Sequence, residues 1–177
     1  MKIAIIGYSG AGKSTLTEKL SNYYSIPKLH MDTLQFQPGW QDSDREWMLG
    51  EMKNFLTKHE TWVIDGNYSW CCYEERMQEA DQIIFLKFSP WTCLFRAFKR
   101  YLTYRGKVRE SMAAGCPERF DWDFIRWILW DGRTKNAKER YQRVQENYPE
   151  KVIVLRSQRE IDHFLENLTH NKKNQRA

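Results

Sequence analysis

Short apolar runs recur along the chain and predict the strands of one sheet. The five runs are Lys2-Ile6, Pro27-Met31, Thr61-Asp65, Gln82-Phe88 and Lys151-Arg156. Segments with helical spacing separate them, and the first, Ser14-Tyr24, places Leu16 and Leu20 on one face. Strands that alternate with helices pair in parallel through right-handed crossovers. The pattern therefore predicts a three-layer α/β fold with a parallel sheet of five strands.

Local signals predict how some of the other segments begin. Ser43 and Glu46 form a capping box, because the two side chains can satisfy free amides in the first turn of a helix. Ser89-Pro90 combines a cap with a first-turn proline and predicts the start of another helix. The segment Leu34-Gln41 contains a Pro-Gly pair and is expected to be a loop.

A long helical insertion separates the fourth and fifth strands. Its pattern predicts one helix up to about Tyr104 and a second from about Asp121 to Glu146. Glycine and proline interrupt the helical pattern between these two segments. We therefore expect a flap at about 105–120 within a helical insertion at 90–146, lying over the sheet and not forming a separate domain.

Length and composition fit one globular domain. The 177 residues are 41% hydrophobic and 29% charged, which is enough apolar material for a core. The longest apolar run, Ile83-Leu86, is too short to span a bilayer, and the glycine-rich segment at Gly7 interrupts any signal-peptide core. We expect one domain over residues 1–169, a basic, frayed tail over 170–177, no membrane partner and a cytoplasmic location.

Cysteine chemistry is a minor feature of the sequence. The four cysteines are Cys71, Cys72, Cys93 and Cys116, and none belongs to a C-x-x-C pair. Without an export signal, all four are expected to be reduced thiols. A redox role for the adjacent Cys71 and Cys72 is the alternative.

Positive charge is concentrated in one third of the chain. The formal net charge is +5, yet between Pro90 and Arg143 there are 13 Lys and Arg against 6 Asp and Glu, a local excess of seven. The remaining residues carry a small net negative charge. An anionic ligand, a nucleic-acid surface or a solvated helical face would each explain this imbalance.

A glycine-rich turn between the first strand and the first helix matches the pattern G-x-x-x-x-G-K-[ST] without a mismatch. Its glycines let backbone amides converge on phosphate oxygens, and the following helix adds the positive end of its dipole. Lys13 can reach the β- and γ-phosphates, and the Ser14 hydroxyl can bind Mg²⁺. The dinucleotide pattern G-x-G-x-x-G fails, since Thr15 stands where its third glycine belongs. The predicted nucleotide-binding residues are Gly7, Tyr8, Ser9, Gly10, Ala11, Gly12, Lys13, Ser14 and Thr15.

Two acids stand at the ends of predicted strands. Asp32 and Asp65 each follow an apolar run, as the glycine-rich turn does. Ligands of parallel sheets bind at the carboxyl ends of the strands, so the three features should converge. A carboxylate there can hold Mg²⁺ or accept a proton from an attacking hydroxyl. We expect Asp65 near the metal and Asp32 near the acceptor; capping of a loop is the alternative for each.

Arginines of the insertion are candidates for phosphate binding. Arg96 and Arg100 are four residues apart and share one helical face, and Arg105 and Arg109 follow in the flap. Arginine forks match phosphate oxygens and can stabilise transition-state charge when a lid closes. The interpretation assigns catalytic roles to Arg100 and Arg105 beside Lys13, whereas a solvated surface is the alternative for any single arginine.

Several of these segments resemble known P-loop kinases. The glycine-rich turn, Asp65-Gly66 and Arg96-x-x-x-Arg100 are similar to those of the adenylate kinases. More closely, the chain resembles the bacterial DNA topology modulation proteins, a likeness that extends to about Leu168. The segments that carry it are Leu29-His30-Met31-Asp32, Pro38-Gly39-Trp40, Asp65-Gly66-Asn67-Tyr68 and Gly115-Cys116-Pro117.

The resemblance implies a P-loop kinase fold with strand order 2-3-1-4-5, ATP and Mg²⁺ as cofactors, and the flap as a lid. It also implies that Arg96 borders the adenine and that Arg100 meets phosphate. Adenylate kinases follow the Asp-Gly pair with Phe-Pro-Arg, whose arginine grips an acceptor phosphate, whereas this chain has Asn67-Tyr68. That departure leaves a neutral hydroxyl acceptor open.

The sequence therefore predicts an ATP-dependent phosphotransferase that acts on a nucleotide, a nucleoside or a similar small metabolite. A second hypothesis is a DNA-associated regulatory protein in which nucleotide binding is a switch, with the basic flap contacting nucleic acid. Against it, the sequence shows no helix-turn-helix, zinc-finger or basic-arm pattern. A third hypothesis is ATP hydrolysis without an acceptor. Oligomeric state is left open by the sequence.

Overall fold

The computed structural model describes residues 1–174, with only the backbone described over 171–174. The strands are β1 (Lys2–Gly7), β2 (Lys28–His30), β3 (Phe36–Gln37), β4 (Gln41–Asp42), β5 (Trp62–Asp65), β6 (Gln82–Leu86) and β7 (Val152–Leu155). The helices are α1 (Lys13–Tyr24), α2 (Met31–Gln35), α3 (Arg45–Lys58), α4 (Tyr73–Glu79), α5 (Pro90–Tyr104), α6 (Trp122–Leu129), α7 (Lys135–Asn147) and α8 (Gln158–Asn174), with a 3₁₀ turn at Asp131–Arg133.

Five parallel strands form the central sheet in the order β2-β5-β1-β6-β7. Counted along the chain, these are the second, third, first, fourth and fifth strands of the sheet, so the expected α/β fold and strand order are confirmed. Ile3, Ala4, Ile5 and Ile6 of the central strand are fully buried. Because successive side chains point to opposite faces, helices must cover both sides of the sheet.

Strand register brings the ends of three neighbouring strands together. His30 lies beside Asp65 between β2 and β5, and Asp65 lies beside Ile5 between β5 and β1. β1 then ends at Gly7, where the glycine-rich turn begins. The carboxyl ends of β2, β5 and β1 thus form one edge of the sheet, and this edge carries the site described below.

Two local expectations ahead of α3 are wrong. The segment expected to be a loop ends α2 and then forms an antiparallel hairpin of β3 and β4, with Phe36 opposite Asp42. The cap of α3 is Asp44, whose carboxylate accepts a hydrogen bond from the Trp47 amide at 2.8 Å, and not Ser43. A full negative charge interacts more strongly with a helix N-terminus than a hydroxyl does. Ser43 is instead buried, and its hydroxyl has no partner in the described chain.

The helical insertion is less regular than its apolar pattern suggests. The helix expected over residues 121–146 is broken after Leu129, where Trp130 leaves helical geometry and the 3₁₀ turn follows. Thr134 then caps α7 by accepting a bond from the Ala137 amide at 3.3 Å. By contrast, α5 begins at the expected cap, since Ser89 accepts a bond from the Thr92 amide at 3.1 Å.

The C-terminal segment is partly helical. α8 continues to Asn174, so the first five residues of the predicted tail extend a helix, and residues 175–177 lie outside the described part of the chain. A further helix, α4, has no counterpart among the predicted elements. Within the described residues, no helix combines the length and the apolar character needed to cross a bilayer.

Candidate functional site

The turn between β1 and α1 has the conformation of a phosphate cradle. Gly10 and Gly12 adopt φ values of 79° and 97°, a left-handed region that glycine enters without strain. A side chain at Gly10 would lie 2.5 Å from the Cys93 carbonyl oxygen, so the loop can pass there only as glycine. The amides of Gly10 and Gly12 make no hydrogen bond within the described chain. They are therefore free to bind an anion at the N-terminus of α1.

Lys13 is folded back over this loop. Its ammonium donates to the carbonyl oxygens of Gly7 at 3.1 Å and Tyr8 at 3.3 Å. The positive charge therefore lies within the cradle, where a bound phosphate would exchange weak carbonyl contacts for ionic ones. Ser14 is half-buried, with no hydrogen-bond partner for its hydroxyl in the described residues, and Thr15 is exposed.

Asn67 fastens the cradle to the end of β5. Its side-chain amide donates to the Gly7 carbonyl at 2.5 Å, and its carbonyl accepts from the Gly7 amide at 3.1 Å. Trp127 of α6 reaches the same loop, because its indole donates to the Ser9 hydroxyl at 3.0 Å. Neither residue was identified as part of the site by sequence reasoning, although Asn67 follows a strand end by the same logic that identified the acids.

Arginines border the other side of the cradle. Arg96 lies against Gly12 so closely that a side chain on that glycine would collide with the guanidinium. Its guanidinium also donates to Gln158 at 2.6 Å and lies 5.0 Å from the centre of the Phe88 ring. Arg133 stacks 3.7 Å from the centre of the Tyr8 ring. Arg96 thus lies next to the loop, and its contact with a nucleotide stays a prediction.

A chain of polar side chains runs inward from the half-buried Glu18 through the buried His30 to Asp65. His30 joins two carboxylates, with Nδ1 2.5 Å from Asp65 and Nε2 2.9 Å from Glu18. Burial lowers the pKa of His30, but the Asp65 and Glu18 carboxylates outweigh it, so its pKa lies above the usual value. Lys28 and His30 together overcome the effect of burial on Glu18 and lower its pKa. His30 therefore fixes one oxygen of Asp65 and leaves the other without a partner in the described chain.

The available donors fit a magnesium ion that arrives with a nucleotide. Among the side chains described, those of residues 1–170, there is no cluster of three or more His, Cys, Asp or Glu that would hold a metal by itself. Mg²⁺ is commonly bound through one or two protein oxygens together with substrate phosphates and water. The Ser14 hydroxyl and the free oxygen of Asp65 are donors of that chemical kind.

Asp32 lies in α2 just after β2, and its orientation is set by a tyrosine. The Tyr68 hydroxyl donates to Asp32 Oδ1 at 2.7 Å. Burial first, and then the charge of Asp32, raise the pKa of Tyr68, so the hydroxyl keeps its proton. Asp65 and Asp42 act in the same direction. This side of the site is therefore rich in negative charge.

The flap is latched by one buried acid. Glu118 has a side chain only 3% exposed, and it pairs with Arg100 at 2.7 Å and with Arg109 at 2.5 Å. Burial, followed by the charge of Arg109, lowers the pKa of Arg100. Arg105 is exposed, and its guanidinium lies 5.9 Å from the centre of the Tyr101 ring. The structure thus groups Arg100 with Arg109, and Arg105 is outside this cluster.

The flap also packs on the β3–β4 hairpin. The Trp40 indole donates to the Pro117 carbonyl at 3.1 Å, and the Cys116 thiol contacts the Gln37 carbonyl at 3.1 Å. Phe36 and Trp40 pack on a small core of Met112, Ala113 and Cys116. These two aromatics therefore hold the flap, and the hairpin and flap form one packed unit.

Comparisons with known proteins show the fold. No protein-family model and no curated protein matches the chain, so the resemblance to the DNA topology modulation proteins stays a prediction. Among solved structures, the chain is similar to deoxyadenosine kinase from M. mycoides with dCMP and a flexible dCDP bound, at 19% identity, a TM-score of 0.54 and full coverage of both chains. A gluconokinase from Sinorhizobium meliloti 1021 is 18% identical at a TM-score of 0.49, covering 98% of this chain and 96% of its own. The chain has the α/β fold of the P-loop kinases.

Proposed function

We propose that this protein is an ATP-dependent phosphotransferase, which transfers the γ-phosphoryl group of ATP to a hydroxyl group of a nucleotide, a nucleoside or a similar small metabolite. The observation that carries the proposal is the position of Lys13. Its ammonium lies inside a glycine-rich loop at the same sheet edge as Asp32 and Asp65. Phosphoryl transfer consists mainly of positioning and charge neutralisation, and these are the groups it requires.

The triphosphate would be held by the loop amides and by Lys13. Within the described residues the amides of Gly10 and Gly12 have no competing partner, and α1 directs its positive dipole end towards them. Ser14 and Asp65 would hold a magnesium ion, which neutralises phosphate charge when bound. Arg96 beside Gly12 would border the adenine.

On the acceptor side, Asp32 would orient the attacking hydroxyl and accept its proton. The bond from Tyr68 fixes the direction of the carboxylate, and the other oxygen of Asp32 has no hydrogen-bond partner in the described part of the chain. Arg100, together with Arg105 or Arg109 of the flap, would neutralise the transferred group as the lid closes. Arg109 and Arg100 both pair with Glu118, so Arg109 already lies near Arg100. This position favours Arg109 over Arg105 for the role.

The charge of this side favours a neutral acceptor. Asp32, Asp42 and Asp65 all act on Tyr68, so an anionic group entering here would meet three carboxylates. Arg100 and Arg109 share the charge of Glu118. We therefore propose a nucleoside or another polyhydroxylated metabolite as the acceptor, in preference to a nucleoside monophosphate.

A screen of acceptors tests the proposal. ADP release from Mg-ATP would be measured with nucleosides, nucleotides and small hydroxylated metabolites, using Lys13→Ala as the blank. Lys19→Ala is the matched control, because Lys19 is an exposed lysine of the same helix. We expect one compound class to raise turnover in the wild type and in Lys19→Ala only. Full activity of Lys13→Ala would overturn the assignment, and turnover indifferent to every acceptor would indicate hydrolysis alone.

DNA binding is the remaining hypothesis, and the structure contains no observation that favours it. Many of the insertion's cations are engaged within the protein, as in the pairs of Arg126 with Asp131 at 2.8 Å and of Arg119 with Asp121 at 2.7 Å. A duplex binder should retain DNA at low salt and release it steeply as salt rises. Measurement of duplex retention at low salt would therefore separate this hypothesis from the kinase.

A further inference from the structure

Helix α5 turns its larger apolar side chains to solvent. Trp91, Phe95, Phe98 and Leu102 are 70%, 68%, 42% and 59% exposed. Their spacing of four, three and four residues places them in one line along the helix. We call these four residues the aromatic stripe.

The side of α5 that packs on the domain carries small residues. Cys93 and Ala97 are its buried residues, at 0% and 1% exposure. On a helix of 3.6 residues per turn, these positions lie opposite the aromatic stripe. The helix therefore packs on the domain through small side chains and exposes its bulky apolar side chains to solvent. A bulky apolar outer face is what an interface between subunits exposes when the subunits are separated.

The stripe continues towards α6, which packs beside α5. Phe98 lies 5.2 Å from Phe120, ring centre to ring centre, just ahead of α6. Trp122, the first residue of α6, is 67% exposed. Aromatic side chains offer about 150–250 Å² each, so at the exposures given the stripe and Trp122 leave on the order of 600–700 Å² uncovered. The largest apolar patch of a typical monomer is about 300–600 Å², and a standard interface buries about 800 Å² per partner.

Charges around this surface suit a second copy better than a membrane or a nucleic acid. Arg119 is neutralised by its own neighbour Asp121. Lys99 and Arg105 beside the stripe and Asp123 of α6 are exposed and have no ion pair within the described chain. The free charges therefore include an acid, which a second copy could pair with Lys99 or Arg105 and which an anionic lipid surface would repel. Two copies with opposite free charges do not repel each other across a two-fold axis.

We propose that the aromatic stripe is the contact between two copies of this chain, which form a symmetric dimer with α5 packed on α5 of the second copy. A two-fold interface uses the same patch on both subunits, and a straight apolar line along one helix is self-complementary. The line from Trp91 to Leu102 is about 16 Å long at 1.5 Å per residue, which is three turns of helix packing. This inference does not depend on the phosphotransferase activity.

Size-exclusion chromatography of the full chain with light-scattering detection tests whether the protein is a dimer. The wild type should have twice the chain mass of 21.4 kDa. Phe95→Glu and Trp91→Lys should each have the mass of one chain, since a charge at the centre of the contact would be buried without a partner. Trp47→Glu is the matched control, because Trp47 is an exposed tryptophan of α3, outside the stripe, and its variant should remain dimeric.

Each outcome decides the proposal. A wild type with the mass of a single chain at all concentrations overturns it, and so does a dimer that persists in both stripe variants. Far-UV circular dichroism reports whether the variants fold; if Phe95→Glu does not fold, Trp91→Lys decides, because its native side chain is 70% exposed. A monomeric wild type that pellets with phosphatidylglycerol vesicles, and loses this in Trp91→Lys, would overturn the dimer and assign the stripe to a membrane.

Discussion

Glu118→Gln should loosen the flap, because the Glu118 carboxylate is the counter-charge that Arg100 and Arg109 share. The side chain of Glu118 is almost fully buried, and it lies 2.7 Å from Arg100 and 2.5 Å from Arg109. Glutamine keeps the shape and can still accept one hydrogen bond, but it leaves two largely buried guanidinium groups without a counter-charge. Removing one partner of a buried pair costs about 3–5 kcal/mol. Arg100 and Arg109 retain 27% and 17% side-chain exposure and can be partly hydrated, which reduces the expected cost to about 2–3 kcal/mol.

The melting temperature measures this effect. For a chain of this length, each kcal/mol corresponds to about 2–4 °C, so Glu118→Gln should melt about 4–12 °C below the wild type. Glu139→Gln is the matched control, since Glu139 forms an exposed pair with Lys135 at 3.8 Å. Such a pair contributes about 0.3–0.5 kcal/mol, or about 1–2 °C. Equal melting temperatures for the two variants would refute the latch.

Three further predictions concern the site and the thiols. Tyr68→Phe removes a charge-assisted hydrogen bond to Asp32 worth about 1.5–3 kcal/mol. The value of kcat should therefore fall about tenfold to a hundredfold, with little change in KM for ATP. An unchanged kcat would contradict the positioning role of Tyr68. Asn67→Ala removes two hydrogen bonds to Gly7 and leaves the Gly7 carbonyl to Lys13 alone, so ATP binding should weaken about fivefold to a hundredfold in calorimetry. Equal affinity would show that the loop keeps its conformation without Asn67. Burial, and then Glu75, raise the pKa of Cys72 to about 11, so alkylation of Cys72 should be about a hundredfold slower at pH 8 than that of a free thiol and should accelerate up to pH 10. Fast labelling of Cys72 at pH 8 would instead revive the redox hypothesis.

Local sequence patterns were sufficient to predict the features that consecutive residues determine. The glycine-rich turn is defined by consecutive residues, and the structure gives it the expected backbone, with Gly10 and Gly12 in the left-handed region. The alternation of strands and helices predicted the parallel sheet for the same reason. The strand-end rule predicted that Asp32 and Asp65 lie at one edge of the sheet, and the register brings the ends of β2 and β5 together there, with His30 beside Asp65.

Contacts between distant segments could not be read from the sequence. Asn67 holds Gly7 from 60 residues away, and Trp40 holds the flap at Pro117 from 77 residues away. The capping residue of α3 depended on competition between Ser43 and Asp44, which are adjacent and both able to cap. The break after Leu129 leaves the apolar pattern unchanged, so helical periodicity continued through it. Glu118 is one acid in a basic segment, and only packing shows that it organises the arginines.

The destination of the γ-phosphoryl group distinguishes a phosphotransferase from an ATPase. ATP labelled at the γ-phosphate would be incubated with the full chain, Mg²⁺ and the acceptor found in the screen, and the products would be separated. We expect the label to appear in an organic phosphate, one for each ADP formed, and Lys13→Ala to produce none. Label found only in inorganic phosphate, or equal transfer by Lys13→Ala, would contradict it.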